Sequence, residues 1–228
     1  FGNRRNTIWG TNSIVPKTRV RTMNHLGLAL GLVFGTTVTA MPARAADPLS
    51  EVGHLLTTHS RLCADFTQSK VLRALVRPLI TQGRIDFRAD KGILWTVRAP
   101  FPAQYLITNN ALINLDDSGR AEHISFDQSP VLRILSHLFI ALFTGKLSAL
   151  RNNFKIETQL DSTSWKLTLS PKDAVFSAII AQVRAEGGQF VDELHIVEGH
   201  GDRTNIKFKN LTVESCNFDG TEKTYFSR

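Results

Sequence analysis

Acidic and histidine side chains, which could transfer protons or bind a metal, are densest in one stretch near the C-terminal end of the chain. They are Asp192, Glu193, His195, Glu198, His200 and Asp202. A metal site or an acid–base pair would need several of these side chains to converge on one point. On a strand, Glu193 and His195 share one face, whereas His200 and Asp202 fall in the turn that follows. We interpret the stretch as the solvated side of a strand plus a polar turn, and predict neither a metal site nor a catalytic site.

Signatures of nucleotide binding and acyl transfer are missing from the sequence. It contains no Gly-x-Ser-x-Gly nucleophile elbow, no Walker phosphate loop and no Gly-x-Gly-x-x-Gly fingerprint. A hydrolase built on the acidic and histidine side chains of 192–202 would lack an obvious nucleophile. The sequence therefore favours a protein that is not an enzyme and that uses no cofactor.

The net charge of +7 comes almost entirely from the N-terminal part of the chain. Residues 1–45 contain six basic residues and no acidic one, which leaves 21 basic and 20 acidic residues for 46–228. A body so close to neutral lacks the excess of lysine and arginine that nucleic-acid binding requires. We predict no nucleic-acid partner.

Residues 1–45 have the parts of a secretory signal. Basic residues precede an apolar run at 26–35, and an Ala-x-Ala sequence ends at Ala45. The run is shorter than the ~20 apolar residues that a transmembrane helix needs. We expect 1–45 to be a signal peptide with an upstream segment, cleaved before Ala46. Residues 46–228 are then expected to form a single soluble domain that is exported.

Two segments of the mature chain have helical periodicity. Pro48, at a first helical position, and the apolar residues that follow it predict a helix over 48–60. Apolar residues at helical spacing between 131 and 143 predict a second helix, which Gly145 would end. This second helix is apolar on more than one face, although a surface helix needs only one apolar stripe.

Most of the remaining chain alternates apolar and polar residues, which predicts about ten antiparallel strands. Segment 178–184 fits either a helix or a strand, and the hairpin suggested by Gly187 and Gly188 favours a strand. Six aromatic residues could line a ligand cavity or could form an ordinary core, and the pattern alone favours an ordinary core. They are Trp95, Tyr105, Phe126, Phe139, Phe143 and Trp165.

A series of short motifs resembles a known family. The motifs contain Asp65, Phe66, Gln68 and Lys70, then Gly83, Ile85 and Phe87, then Gly92, Ile93, Trp95 and Pro100, and finally Trp165, Pro171 and Lys172. In this order and spacing they resemble the periplasmic lipoprotein carriers of the LolA-like family, over about residues 60–210. The chain looks like a divergent branch of that family.

The resemblance implies a β-dominated α+β fold, an unclosed antiparallel β-barrel whose apolar concave face is covered by a few helices. It also implies that the protein shields the acyl chains of a lipoprotein, or of a related lipid, in a cavity. Such a carrier takes its cargo from an ATP-driven exporter in the inner membrane and passes it to an acceptor in the outer membrane. We expect a monomer. The alternatives are a LolA-like domain that senses a lipid and regulates a membrane partner, and a carrier of another lipid product.

Candidate site residues follow from the strand and helix patterns together with the resemblance. The predicted cavity wall consists of Ile85, Phe87, Ile93, Trp95, Tyr105, Ile107 and Ile113. The predicted plug or lid is the second helix, through Leu132, Leu135, Phe139 and Phe143, while Phe208 is expected outside the cavity mouth. The family has an arginine that latches the lid at the position of Ala89, so the neighbouring Arg88 is the latch candidate here.

Cys63 and Cys216 are the only cysteines of the chain. In an oxidising compartment two cysteines can pair, and closing so long a loop stabilises the folded state. The sequence leaves two readings open, a disulfide between them or two separate buried thiols.

Overall fold

The alternating segments form one antiparallel sheet of eleven strands in the computed structural model, which describes residues 47–56, 59–115, 120–126, 129–213 and 216. The strands are β1 (Arg61–Val71), β2 (Leu79–Arg88), β3 (Gly92–Ala99), β4 (Ala103–Ile107), β5 (Ala111–Leu115), β6 (Ala121–Ser125), β7 (Phe154–Leu160), β8 (Trp165–Pro171), β9 (Ile180–Gly187), β10 (Val191–Glu198) and β11 (Arg203–Val213). The predicted signal peptide and its cleavage point fall outside the described residues.

The strands follow the order β6-β5-β4-β3-β2-β1-β11-β10-β9-β8-β7. Strands β1 and β11, the first and last of the described strands, are thus neighbours at the centre of the sheet, where Phe66 lies opposite Phe208. Strands β6 and β7 are the two edges, and within the described residues they do not pair with each other. The sheet is an unclosed antiparallel barrel, as the sequence analysis predicted.

Three α-helices and one 3-10 helix accompany the sheet in the described ranges. They are α1 (Pro48–Leu56), α2 (Pro130–Thr144), the 3-10 helix (Leu147–Asn152) and α3 (Ala174–Ile179). Helix α2 and the 3-10 helix lie between β6 and β7 in the chain, so this connection joins the two edges of the sheet. Helices α1 and α2 and the 3-10 helix bury apolar side chains in the same core cluster as the sheet, among them Val52, Leu138, Leu142 and Leu147.

The ends of α2 are set by local chemistry. The Ser129 side chain accepts a hydrogen bond of 3.4 Å from the Leu132 N–H, and Pro130 occupies the first turn. Gly145 ends the helix with φ of 69°, a left-handed conformation that favours glycine. The predicted stop at Gly145 is confirmed.

Two sequence predictions about helices differ from the structure. The helix expected over 48–60 ends at Leu56, because β1 begins at Arg61 and pairs there with Arg88 of β2. The ambiguous segment 178–184 is divided between both structures, since α3 ends at Ile179 and β9 begins at the next residue. No helix among the described residues is long and apolar enough to cross a membrane.

Candidate functional site

The face of the sheet that carries the main core, called the inner face here, is built by alternate residues of neighbouring strands. Ile85 and Ile93 are fully buried, and Phe87 is 2% exposed. Pairing between β3 and β4 places Ile93 opposite Ile107 and Trp95 opposite Tyr105. These six members of the predicted wall therefore share one face.

Ile113, the seventh member of the predicted wall, lies on the other face, so that prediction is wrong. It is paired with Leu106 and packs with Leu94 and Leu115 in a separate small cluster. The residue of β5 that packs on the main core is its neighbour Leu112, which pairs with Ile107. Since β5 is apolar on both faces, its alternation gives no indication of which face is buried.

Aromatic side chains converge where β1, β3, β11 and α2 meet on the inner face. The Trp95 ring lies 4.3 Å from the Phe66 ring, 5.5 Å from the Phe139 ring and 6.4 Å from the Phe208 ring, between centroids. Phe143 stands 5.7 Å from Phe208. The prediction that Phe208 lies outside the cavity is wrong, because β11 is central and its Phe208 faces the same core.

Helix α2 covers this aromatic group unevenly. Phe143 is 7% exposed and packs against the Phe87 ring at 5.9 Å. Leu132, Leu135 and Phe139 are only half-buried. The first part of the helix therefore packs less completely than its last part.

A cleft of about 700 Å³ opens on the inner face beside the aromatic group. Trp95, Val97 and Tyr105 line its inside, and Leu79 and Phe101 stand at its edge. Leu79 is 49% exposed and Phe101 is 81% exposed. The inner face thus continues from a buried core into an open apolar cleft, an arrangement that suits an apolar ligand.

The acidic and histidine stretch near the C-terminal end separates into two groups. On β10, the Glu193 carboxylate lies 3.1 Å from His195 Nε2 and 3.1 Å from Lys207 Nζ. In the turn between β10 and β11, His200 Nε2 lies 2.9 Å from an Asp202 oxygen and 3.4 Å from a Glu198 oxygen. The two groups sit at different places along β10 and form no single site.

The second group joins the β10–β11 turn to the segment after β1. The Arg73 backbone N–H donates to Asp202 at 2.9 Å, and the Arg73 guanidinium donates to the His200 carbonyl at 3.0 Å. Lys70 Nζ lies 2.7 Å from the Glu198 carboxylate. Glu198, His200 and Asp202 bring possible metal-ligand atoms within 4.8 Å of one another, yet both carboxylates already have donors from the β1 side. We call these contacts, from Arg73 to Asp202 and the His200 carbonyl and from Lys70 to Glu198, the clamp.

The clamp leads to a prediction about pH. Hydrogen bonding from the Arg73 backbone N–H, with a further contribution from His200, lowers the pKa of Asp202 below its ordinary value. Since the folded-state pKa is the lower one, the carboxylate stabilises the fold above the ordinary aspartate pKa of about 3.9. That stabilisation is lost as the pH falls through the folded-state value. We expect Asp202→Asn to unfold at lower urea concentration than the wild type at pH 7, with the difference shrinking towards pH 3.

Glu157→Gln is the control for Asp202→Asn, because the Glu157 side chain is 69% exposed and lies 3.9 Å from Lys155. Such exposed ion pairs contribute little to stability. A difference between the Asp202→Asn protein and the wild type that is equally large at pH 7 and at pH 3 contradicts the assigned role of the carboxylate.

Comparison with known proteins places residues 40–215 in one family. The family model that matches this range is described as "Outer membrane lipoprotein carrier protein LolA-like". The chain belongs to the LolA-like family. By that description, the LolA-like family is one of carrier proteins. No curated protein matches the chain.

Solved structures similar to this LolA-like chain differ widely from it in sequence. A LolA superfamily protein from Nitrosomonas europaea is 7% identical, with a TM-score of 0.39, over 75% of this chain and 93% of its own. A DUF1329 family protein from Desulfovibrio piger is 12% identical, with a TM-score of 0.41, over 79% and 97%. The MucA/MucB complex of Pseudomonas aeruginosa is 10% identical, with a TM-score of 0.45, over 76% and 59%.

Arg88, the candidate counterpart of the LolA-like latch, lies at the end of β2 beside α2. It lines a small cleft of about 240 Å³ together with Ile140 and Thr144 of α2. Its guanidinium contacts the Asp90 carboxylate at 2.9 Å and 3.2 Å, and this hydrogen bonding lowers the pKa of Asp90. The Arg88 side chain is therefore next to α2, although it forms its ion pair with Asp90 in the turn that follows β2.

Cys63 and Cys216 form a disulfide in the structure, with their Cα atoms 5.9 Å apart. Cys63 is a buried residue of β1, and Cys216 follows the end of β11. The bond links residues separated by 153 positions in the chain. It therefore ties the segment after the last strand to the first strand, at the centre of the sheet.

Proposed function

We propose that this LolA-like protein is a soluble periplasmic carrier that shields the acyl chains of a lipoprotein, or of a related lipid, between the inner face of the sheet and α2. The observation that carries the proposal is the contact between Trp95 and Phe139 at 5.5 Å, next to the open apolar cleft. Here the half-buried part of the helix meets the sheet where an apolar ligand could enter.

An acyl chain needs a protein that shields it from water if it is to cross an aqueous compartment. Each acyl CH₂ removed from water contributes about 0.8 kcal/mol, so a free acyl chain does not cross an aqueous compartment at a useful rate. Ligand entry would exchange contacts between Phe139 and Trp95 for contacts of each ring with the acyl chain. Because one set of apolar contacts replaces another, the open and closed states differ little in free energy and uptake stays reversible.

The carrier role implies further features that belong to the same proposal. A signal peptide within residues 1–45 would direct the domain 46–228 to the periplasm. An ATP-driven exporter of the inner membrane would supply the cargo and an outer-membrane acceptor would receive it. Within the protein, Arg88 would hold the end of α2 near Ile140 and Thr144, as a latch displaced from the family position at Ala89.

Native mass spectrometry of protein purified from the periplasm tests the proposal. We expect a population with added mass corresponding to a lipid or acylated peptide, which is released when the protein is denatured. The intact mass of the denatured chain should correspond to a start at Ala46. Protein isolated from the periplasm that carries no lipid, and that takes none up from detergent-solubilised lipoprotein, contradicts the carrier function.

A further inference from the structure

Exposed large apolar side chains gather at one end of the sheet. Antiparallel pairing puts the β1–β2 and β3–β4 connections at the same end, and residues 78–81 and 100–103 line one cleft. Val76 is 101% exposed, Phe101 is 81% exposed and Leu75 is 46% exposed. Large apolar side chains exposed together in this way mark a surface of interaction. We call these two connections, residues 71–80 and 98–103, the rim.

The rim is also basic. It contains Arg73, Arg77 and Arg98 and no acidic residue. Arg98 lies 3.7 Å from Asp65, which is outside the rim, and both side chains are about half exposed. Arginines interleaved with exposed apolar side chains are typical of segments that lie in the interface of an anionic bilayer.

The longer rim connection is held in place at its base. The Leu75 backbone N–H donates to the Leu72 carbonyl at 3.0 Å, which forms a turn. The clamp from Asp202 and the His200 carbonyl to Arg73 fixes this turn against the β10–β11 turn. Leu75, Val76 and Arg77 are thus presented on a supported turn, which reduces the ordering that contact with a partner requires.

We propose that the rim is a membrane-contacting surface that docks on anionic phospholipid. Val76 and Phe101 enter the interfacial region while Arg77 contacts lipid phosphates. The surface surrounds the cleft edge at Leu79, so a docked protein has its cleft opening towards the lipid. The inference extends the proposed carrier function, but docking itself needs no cargo.

Cosedimentation with vesicles tests the proposal on the mature chain. Wild-type protein should bind vesicles of phosphatidylcholine mixed with phosphatidylglycerol, more weakly at high salt, and should bind pure phosphatidylcholine much less. Val76→Ser should weaken binding about tenfold, through loss of an inserted side chain. Arg77→Gln should weaken it about fivefold, the share of one arginine near an anionic surface.

Two controls separate docking from folding and from cargo binding. Lys91→Gln removes a positive charge in the β2–β3 turn, at the other end of the sheet, and should leave vesicle binding unchanged. The Val76 and Arg77 side chains are exposed, so the variants should unfold at the wild-type urea concentration. Equal binding of the wild type, Val76→Ser and Arg77→Gln, or no binding by the wild type, overturns the proposal. If the wild-type protein retains lipid but does not bind vesicles, only the proposed role of the rim is refuted. If it binds vesicles but retains no lipid, only the carrier function is refuted.

Discussion

The Phe139→Glu variant, when purified from the periplasm, is expected to contain no bound lipid. The phenyl ring contacts Trp95 at the place where α2 meets the inner face, and it is half-buried beside the cleft. A carboxylate at this position must remain hydrated. The ligand site therefore loses the apolar contact of the phenyl ring and gains a charge that an acyl chain cannot solvate. We expect lipid occupancy in native mass spectra to fall at least ~10-fold, since burying one aromatic side chain contributes about 1.5–3 kcal/mol.

Phe190→Glu is the matched control for this substitution. Phe190 is also half-buried and packs on the core, where its ring stacks on the His59 ring at 5.2 Å. It lies in the turn between β9 and β10, at the end of the sheet opposite the rim. Both variants should lose some stability, about 1–3 kcal/mol for a partly buried phenyl group. Only Phe139→Glu should lose lipid. Equal lipid retention by the two folded variants contradicts the assignment of α2 to the ligand site.

Replacing Cys216 with serine is expected to lower the free energy of unfolding by about 3–5 kcal/mol. The disulfide closes a loop between residues 153 positions apart, and it restricts the unfolded chain over nearly the whole domain. Urea denaturation of Cys216→Ser and of the wild type, at equal pH and temperature, measures the difference.

Reduction provides an internal check on the disulfide. A reductant should destabilise the wild type to about the level of Cys216→Ser and should have no effect on that variant or on Cys63→Ser. Two titratable thiols in denatured wild-type protein from the periplasm would refute the bond.

The local patterns were sufficient to predict a β-rich antiparallel fold, whereas the unclosed barrel was implied by the resemblance to the LolA-like family. Strands such as Trp165–Pro171 alternate strictly, and their apolar residues Trp165, Leu167 and Leu169 are all buried. The end of α2 was readable from Gly145 alone. The helix and strand in 178–184 were not separable, because the boundary between Ile179 and Ile180 depends on pairing with β10, a contact that no local pattern encodes.

Over 83–88 of β2 only one face is apolar, and that alternation indicates which face is buried. Ile85 and Phe87 lie on this face, the inner one. Ile113 was misassigned because the outer face has an apolar cluster of its own around Leu94. Phe208 was misassigned because its place in the core follows from the pairing of β11 with β1, which joins the two ends of the domain.

The clamp around Asp202 and the basic rim escaped the sequence analysis for a different reason. Arg73 and Asp202 are 129 positions apart, and their contact exists only because β11, which follows the turn that carries Asp202, pairs with β1. The one available signal was the run of apolar and arginine residues between Leu72 and Pro78, in a connection unusually long for a hairpin.

The pairing of β1 with β11 also bears on how the chain assembles. Strands β1 to β6 can pair successively as they emerge from the ribosome or the translocon, and β7 to β10 likewise, since each contacts its neighbour in sequence. The hydrogen-bonding edge of β1 that faces β11 stays empty until the last strand has been delivered. An unpaired edge of this kind recruits other strands, so the half-made protein is the species most prone to aggregate and most dependent on chaperones. Truncation before β11 should therefore yield insoluble protein, whatever the stability of the finished fold.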